Sequence, residues 1–543
     1  MSRILIKNGM VYDGLGNQPM EADVWIYNDR IEKIVVRDKN ALEVPEEKLI
    51  DEIIDAKGKV VTPGFIDIHR HCDIKPFYSM DFGTCMLAQG ITSTVVGNCG
   101  ISMTPCSKDL ERTQEMWDFD EAVLGPAYPG IYSYQEYLRE LEKRKLPINI
   151  AAMIGTGSVK ITVKGFLNTP FSLQEMDEAS ALIKDALEEG APGISAGIMY
   201  LPECYTTTEE FGKLLEPVGQ YDRVVTFHIR GEGNSMVESV REVIEIGKKA
   251  NCAVEISHFK SCGMKNWRKD IHRAIQLIDN ARAEGQDITV DFYPYEGGST
   301  ALTTMLPPAF VKGNLKNALK YLGTKEGVDC FRKLASQEYE DWDNFCVTLG
   351  WERILISGVT EEHNKKFLGM DVKTAAEKFG FEDAYALAAY LMHDENGKTA
   401  IINMSMCQED IDTVALLPYS IVISDSIYAE TDTPHPRMYG AFPKIIREYV
   451  NERHLLTLEE AIKKMTSMPA KRMKLCGRGI LQEGMYADIN IFDSGKFRDC
   501  ATFQNPTALA TGLDVCMING QIAWKNGMST GICAGNVIKN KMN

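Results

Sequence analysis

An α/β fold whose centre is a (β/α)₈ barrel is predicted for this 543-residue chain by three observations. Apolar, β-branched runs alternate with helical stretches through the middle of the sequence, the grammar of a parallel sheet covered by helices. Eight such runs can be counted, ending near His69, Val96, Ile154, Ser195, His228, His258, Tyr293 and Asp425, the number that closes a barrel. Short strands with Asn-Gly turns recur at both ends of the chain, which points to a second, smaller β unit. A doubly wound sheet is the alternative architecture for the same central pattern.

The elements follow in order. Ile4-Leu5-Ile6-Lys7-Asn8-Gly9 and Val24 to Ile31 read as strands broken by Asn-Gly and Asn-Asp turns. Ala487 to Phe492 and Val515 to Ile522 repeat that pattern, so residues 1–61 and 478–543 are expected to pair into one β-sandwich. Two unrelated sets of hairpins would read the same way. Residues 62–477 hold the barrel, with helical patterns starting at Leu173 and Met236 between strands. The stretch from Ser299 to Tyr419 exceeds any single βα connection and contains a strand-like run, Ala400-Ile401-Ile402-Asn403-Met404. It is expected to be an insertion at about 300–418 that shapes the pocket as a lid.

Composition narrows the class of function. A hydrophobic content of 44% is ample for a sizeable core, and 76 acidic against 59 basic residues leave a net charge of −17. That balance disfavours nucleic acid and anionic membrane, which both need basic surface. Fourteen cysteines show no C-x-x-C pair, the start Met-Ser-Arg-Ile-Leu-Ile-Lys lacks a signal-peptide core, and no run approaches the ~18 apolar residues of a membrane span. A cytoplasmic enzyme acting on a small molecule is expected; nothing in the sequence sets its oligomeric state.

The chemistry starts at Thr62-Pro63-Gly64-Phe65-Ile66-Asp67-Ile68-His69-Arg70-His71. Side chains alternate across a strand, so His69 and His71 share a face while Arg70 takes the other. Other strand ends carry Cys99 in Gly97-Asn98-Cys99-Gly100, His228, His258 and Asp425. Four imidazoles, one thiolate and one carboxylate suffice for two metal ions with a bridging ligand, or for one ion with an open position. Thiolate and imidazole together select zinc over magnesium or calcium. Each residue alone has an ordinary reading: a satisfied buried histidine, an inert buried cysteine, a turn aspartate. Their coincidence at the ends of the first, second, fifth, sixth and eighth strands is what outweighs those readings.

The chain also resembles the N-acyl-D-amino-acid deacylases of the amidohydrolase superfamily over nearly its whole length. The resemblance lies in Gly64 to Asp73, Gly90 to Ser102, Gly193 to Tyr200, Ile256 to Lys260, Asp291 to Tyr295, Ser299-Thr300, His435 to Pro443 and Met465 to Ala470. It implies a zinc held tightly by Cys99, His228 and His258, and a second, weaker position formed by His69, His71 and Asp425, with Cys99 as candidate bridge. Asp425 would shuttle a proton from water to the leaving nitrogen. Lys260, Tyr293, Ser299 and Arg437 match positions that hold the substrate carboxylate, and the D preference is implied by the resemblance alone.

The chain departs from the wider superfamily in several places. Many amidohydrolases bridge two metals with a carboxylated lysine at the end of the fourth strand, whereas Gly193-Ile194-Ser195-Ala196-Gly197 offers none. Arg70, Cys72 and Glu296-Gly297-Gly298 also differ from the common pattern. A cyclic-amide hydrolase of the hydantoinase or dihydroorotase kind and a related dipeptidase are the rival enzymes. A catalytically silent barrel scaffold is the rival outside enzymes, and intact ligand positions count against it.

Overall fold

The computed structural model describes residues 2–37, 50–312, 314–339, 342–428, 431 and 433–540. Its centre is a ring of parallel strands: β1 (Phe65–Asp67), β2 (Ile91–Val96), β3 (Asn149–Ala152, resuming at Ile154–Gly155), β4 (Gly193–Gly197), β5 (Val224–His228), β6 (Ala253–Ile256), β7 (Ile288–Phe292) and β8 (Ser420–Val422). Each pairs in parallel with the next. Short extensions close the ring, Ser426 pairing with Arg70 and Ile427 with His71. The eight runs expected from the sequence are thus the eight staves of a barrel, not an open doubly wound sheet.

The strands read as continuous apolar runs because both faces are covered; all of β2, β4 and β5 is buried. Helices between them start where the sequence supplies caps. Leu173–Glu188 opens on a reciprocal Ser172–Glu175 capping box, and Met236–Ala250 ends at Asn251 in the left-handed conformation that helix ends favour.

Strands from both ends of the chain enter one nine-stranded sheet. The seam is the antiparallel pairing of Val60–Pro63 with Ile489–Phe492. Ile4, Ile6, Val24 and Ile26 from the first part share an apolar core with Ile489, Ile491, Val515 and Met517 from the second. Val60–Pro63 leads straight into β1, so this sheet is anchored to the strand that carries the first two histidines.

Between β7 and β8 the chain builds a three-stranded antiparallel sheet, with Ala400–Asn403 between Gly298–Ala301 and Ile354–Gly358. Its helices pack around a separate core that includes Leu302, Phe331, Ile356, Leu387 and Ile401. The strand-like run at Ala400 belongs here. Among the described residues, no helix is long and apolar enough to cross a membrane.

Candidate metal centre

Every predicted ligand emerges at the C-terminal end of the barrel, where the strand ends converge. Nitrogen or sulfur atoms of His69, His71 and Cys99 lie within 4.8 Å of one another, as do those of Cys99, His228 and His258, and all five residues are buried. Cys99 stands between the two groups, its Sγ 3.2 Å from His69 Nε2 and 3.5 Å from His258 Nε2. Asp425 Oδ1 completes the outer group at 3.5 Å from His69 Nε2 and 3.6 Å from His71 Nε2. The alternation argument holds: Arg70 faces away, donating to the Met438 carbonyl at 2.8 Å and lying 3.3 Å from Asp67 Oδ2.

The backbone that aims these groups is strained. Cys99, His258 and Asp425 all adopt positive φ, at 56°, 37° and 49°, a region that costs a non-glycine residue about 1–3 kcal/mol and concentrates at functional sites. Around Cys99 the flanking glycines make the turn achievable. A Cβ at Gly97 would lie 2.2 Å from the Met153 carbonyl oxygen, and one at Gly100 would lie 1.9 Å from Glu203 Oε2. Ser195, at the fourth-strand end that lacks a lysine, staples this loop by donating to the Gly97 carbonyl at 2.6 Å and accepting from the Gly100 amide at 3.0 Å.

The electrostatics suit a cation held by neutral imidazoles. Burial pushes the His69 pKa down to about 4, against the pull of Asp425, and holds those of His228 and His258 well below the ordinary histidine range. Ring lone pairs are therefore free near neutrality. Both ring nitrogens of His228 are buried without a hydrogen-bond partner, an arrangement that costs energy unless a ligand satisfies it. Burial, reinforced by Asp425, raises the Cys99 thiol pKa well above normal, so a cation that binds there must displace a proton. Burial alone would favour a neutral Asp425, but Arg437, with help from His71, holds that carboxyl well below the usual carboxylate range. These donors fit a soft divalent ion.

The four residues expected at the substrate carboxylate fall beside this cluster. Lys260, Tyr293 and Ser299 line one cavity together with His71, Cys99, His228, His258 and Asp425. Arg437 lies in an adjoining recess that Ser299 also lines, and is 1% exposed. Its Nη1 is 2.7 Å from Asp425 Oδ2, its guanidinium lies 4.5 Å from the Tyr293 ring centre, and its Nε and Nη2 make no hydrogen bond. The Tyr293 hydroxyl is equally without a partner. Lys260 is differently placed: its ammonium lies 2.5 Å from Glu232 Oε1, 2.9 Å from the His258 carbonyl and 2.7 Å from His258 Nδ1.

Two carboxylates that orient the cluster were not singled out from the sequence. Asp291 accepts from the His258 amide and lies 3.8 Å from His69 Nδ1. Its signal was its position two residues before Tyr293 on β7, on the same face. Glu232 lies 2.9 Å from His258 Nδ1 as well as against Lys260. An acid between two glycines, four residues past a strand-end histidine, was the legible cue.

A family model for the amidohydrolase family matches residues 52–255 and 422–524. The chain belongs to the amidohydrolase family. This amidohydrolase is 31% identical to an N-acyl-D-glutamate deacylase of Alcaligenes xylosoxydans xylosoxydans over 95% of its own length and 92% of the relative's. Its fold superposes with a TM-score of 0.82 on a zinc complex of N-acyl-D-glutamate deacylase from Bordetella bronchiseptica carrying a phosphonate mimic of the tetrahedral intermediate, at 26% identity and 99% coverage of both chains. A D-aminoacylase studied for its binuclear metal centre superposes at 0.80, with 29% identity and 99% coverage of both.

In this amidohydrolase, Glu232 Oε1 lies against both His258 Nδ1 and the Lys260 ammonium, so this carboxylate braces a histidine of one of the candidate ligand groups and would support it as a metal donor. Glu232→Gln is expected to weaken metal affinity about 10- to 100-fold, checked by competition with a chromophoric chelator. Unchanged affinity would remove Glu232 from that role.

Proposed function

We propose that this protein hydrolyses the amide bond of N-acyl-D-amino acids, giving a carboxylate and the free D-amino acid in a zinc-dependent reaction. The observation that carries the reading is the meeting of four imidazoles, the Cys99 thiol and the Asp425 carboxylate at one barrel mouth, next to a buried arginine with free donors. The zinc-bound and D-deacylating relatives support it. Cys99, His228 and His258 would hold the tighter ion; His69, His71 and Asp425 would form the weaker position. When bound, zinc supplies a Lewis acid for the amide carbonyl and lowers the pKa of water to ~7.

The remaining work falls to the chain. The free donors of Arg437 and the Tyr293 and Ser299 hydroxyls suit the substrate's α-carboxylate, arginine offering a two-pronged grip. Lys260, engaged by Glu232 and His258, contributes positive charge from the cavity wall. Asp425 accepts a proton from the attacking water and returns it to the nitrogen as the C–N bond breaks. Drawing Arg437 toward a substrate carboxylate would loosen its pair with Asp425 and raise the basicity of that carboxylate as the reaction begins. The fourteen cysteines, all free thiols, suit a reducing compartment such as the cytoplasm.

The test is amine release by zinc-loaded protein from paired N-acetyl-D- and N-acetyl-L-amino acids. Release from the D series alone is expected. Turnover of hydantoins or dipeptides in place of N-acetyl-D-amino acids would transfer the protein to one of its rivals.

A further inference from the structure

The cavity lined by the candidate metal ligands has a charge pattern that bears on which amino acids it accepts. Its apolar lining is formed by Ile101, Val123, Met199, Phe345 and Ile427. The polar groups among them are uncharged: Tyr200, Thr300, Thr304 and Asn403 also line the space. Among the described lining residues the one cation is Lys260, which already faces Glu232 Oε1 and the His258 carbonyl, with His258 Nδ1 on its remaining side. Arg437, the one cation among the described residues that line the adjoining recess, has donors to spare.

The count therefore stops at one carboxylate. A second, on the side chain of an acyl-glutamate or acyl-aspartate, would be buried with no free counter-charge and with the Glu232 and Asp425 carboxylates in the same cavity. A buried charge without a partner is strongly disfavoured, whereas an aliphatic, thioether or aromatic side chain is favoured by contact with the apolar wall. Among the described lining residues no part of the wall offers a free cation, so the same holds whichever part takes the side chain and whichever takes the acyl group.

Resting on the deacylase reading, we infer that the preferred substrates carry an uncharged, apolar D side chain, such as leucine, methionine or phenylalanine. This differs from the substrate named for the D-glutamate deacylases to which the chain is similar. The experiment compares kcat/KM of the zinc-loaded full chain for the N-acetyl derivatives of D-leucine, D-methionine, D-phenylalanine, D-glutamate, D-aspartate and D-lysine. The apolar members are expected to exceed the charged ones by at least about 100-fold. As a second arm, Thr304→Lys is expected to raise the D-glutamate to D-leucine ratio at least about tenfold by supplying the missing cation. Equal or better turnover of the acidic or basic substrates by the unaltered protein overturns the inference and leaves the deacylase reading standing. No release from any D substrate, with zinc bound, overturns both.

Discussion

Replacing Cys99 with serine is expected to remove the tightly held zinc and to lower turnover by roughly three orders of magnitude or more. The reason is geometric as well as chemical. Among the described residues Cys99 is the one common to both candidate ligand groups, 3.2 Å from His69 Nε2 and 3.5 Å from His258 Nε2. A serine hydroxyl is shorter, harder and far less acidic, so it neither reaches both groups nor matches a soft cation. The checks are metal content by mass spectrometry after gel filtration and amine release in a fixed-substrate assay. The variant should keep its fold, since the Gly97 and Gly100 contacts and the Ser195 staple involve backbone rather than the thiol. Full zinc content in a folded Cys99→Ser protein would show that the imidazoles alone hold the ion.

Asp425→Asn separates the proton step from metal binding. Asparagine preserves the shape of the side chain and its proximity to His69 and His71, but cannot accept a proton. The tightly held zinc is expected to stay, because Cys99, His228 and His258 are untouched, while kcat falls about 10²- to 10⁴-fold, the range of a lost general acid–base. Zinc stoichiometry measured alongside kcat and KM distinguishes the outcomes. Near-normal kcat with zinc retained would take the proton role away from Asp425. Loss of zinc together with activity would make it a ligand of the tight position.

Much of this site is legible in the sequence because strand periodicity and barrel closure are both rules of direction. Alternation alone places His69 and His71 on one face and Arg70 on the other, and the parallel ring brings Cys99, His228, His258 and Asp425 to the same mouth although 326 positions separate Cys99 from Asp425. What stayed hidden depends on side-chain reach. Nothing in the spacing says that Lys260 bends back onto Glu232 and His258, that Arg437 meets Asp425, or that Asp291 receives the His258 amide. Such contacts are set by rotamers and loop paths rather than by period. The insertion was visible as excess length between β7 and β8, but its own three-stranded sheet rests on pairings between runs about 45 and about 100 residues apart in sequence.

Asp343 belongs to that insertion, and its Oδ2 accepts hydrogen bonds from the backbone amides of Glu232 at 2.6 Å and Gly233 at 2.8 Å. A Cβ at Gly231 would sit 2.9 Å from Asp343 Oδ2, and one at Gly233 would sit 2.8 Å from Oδ1, so the turn is glycine-flanked to let the carboxylate dock. The insertion is consequently not an interchangeable module. Grafting it from a relative to alter selectivity would also reset the tether on the Glu232 turn, and a transplant without an acid in register with Asp343 would slacken the groups around His258 and Lys260 however well its own core folded.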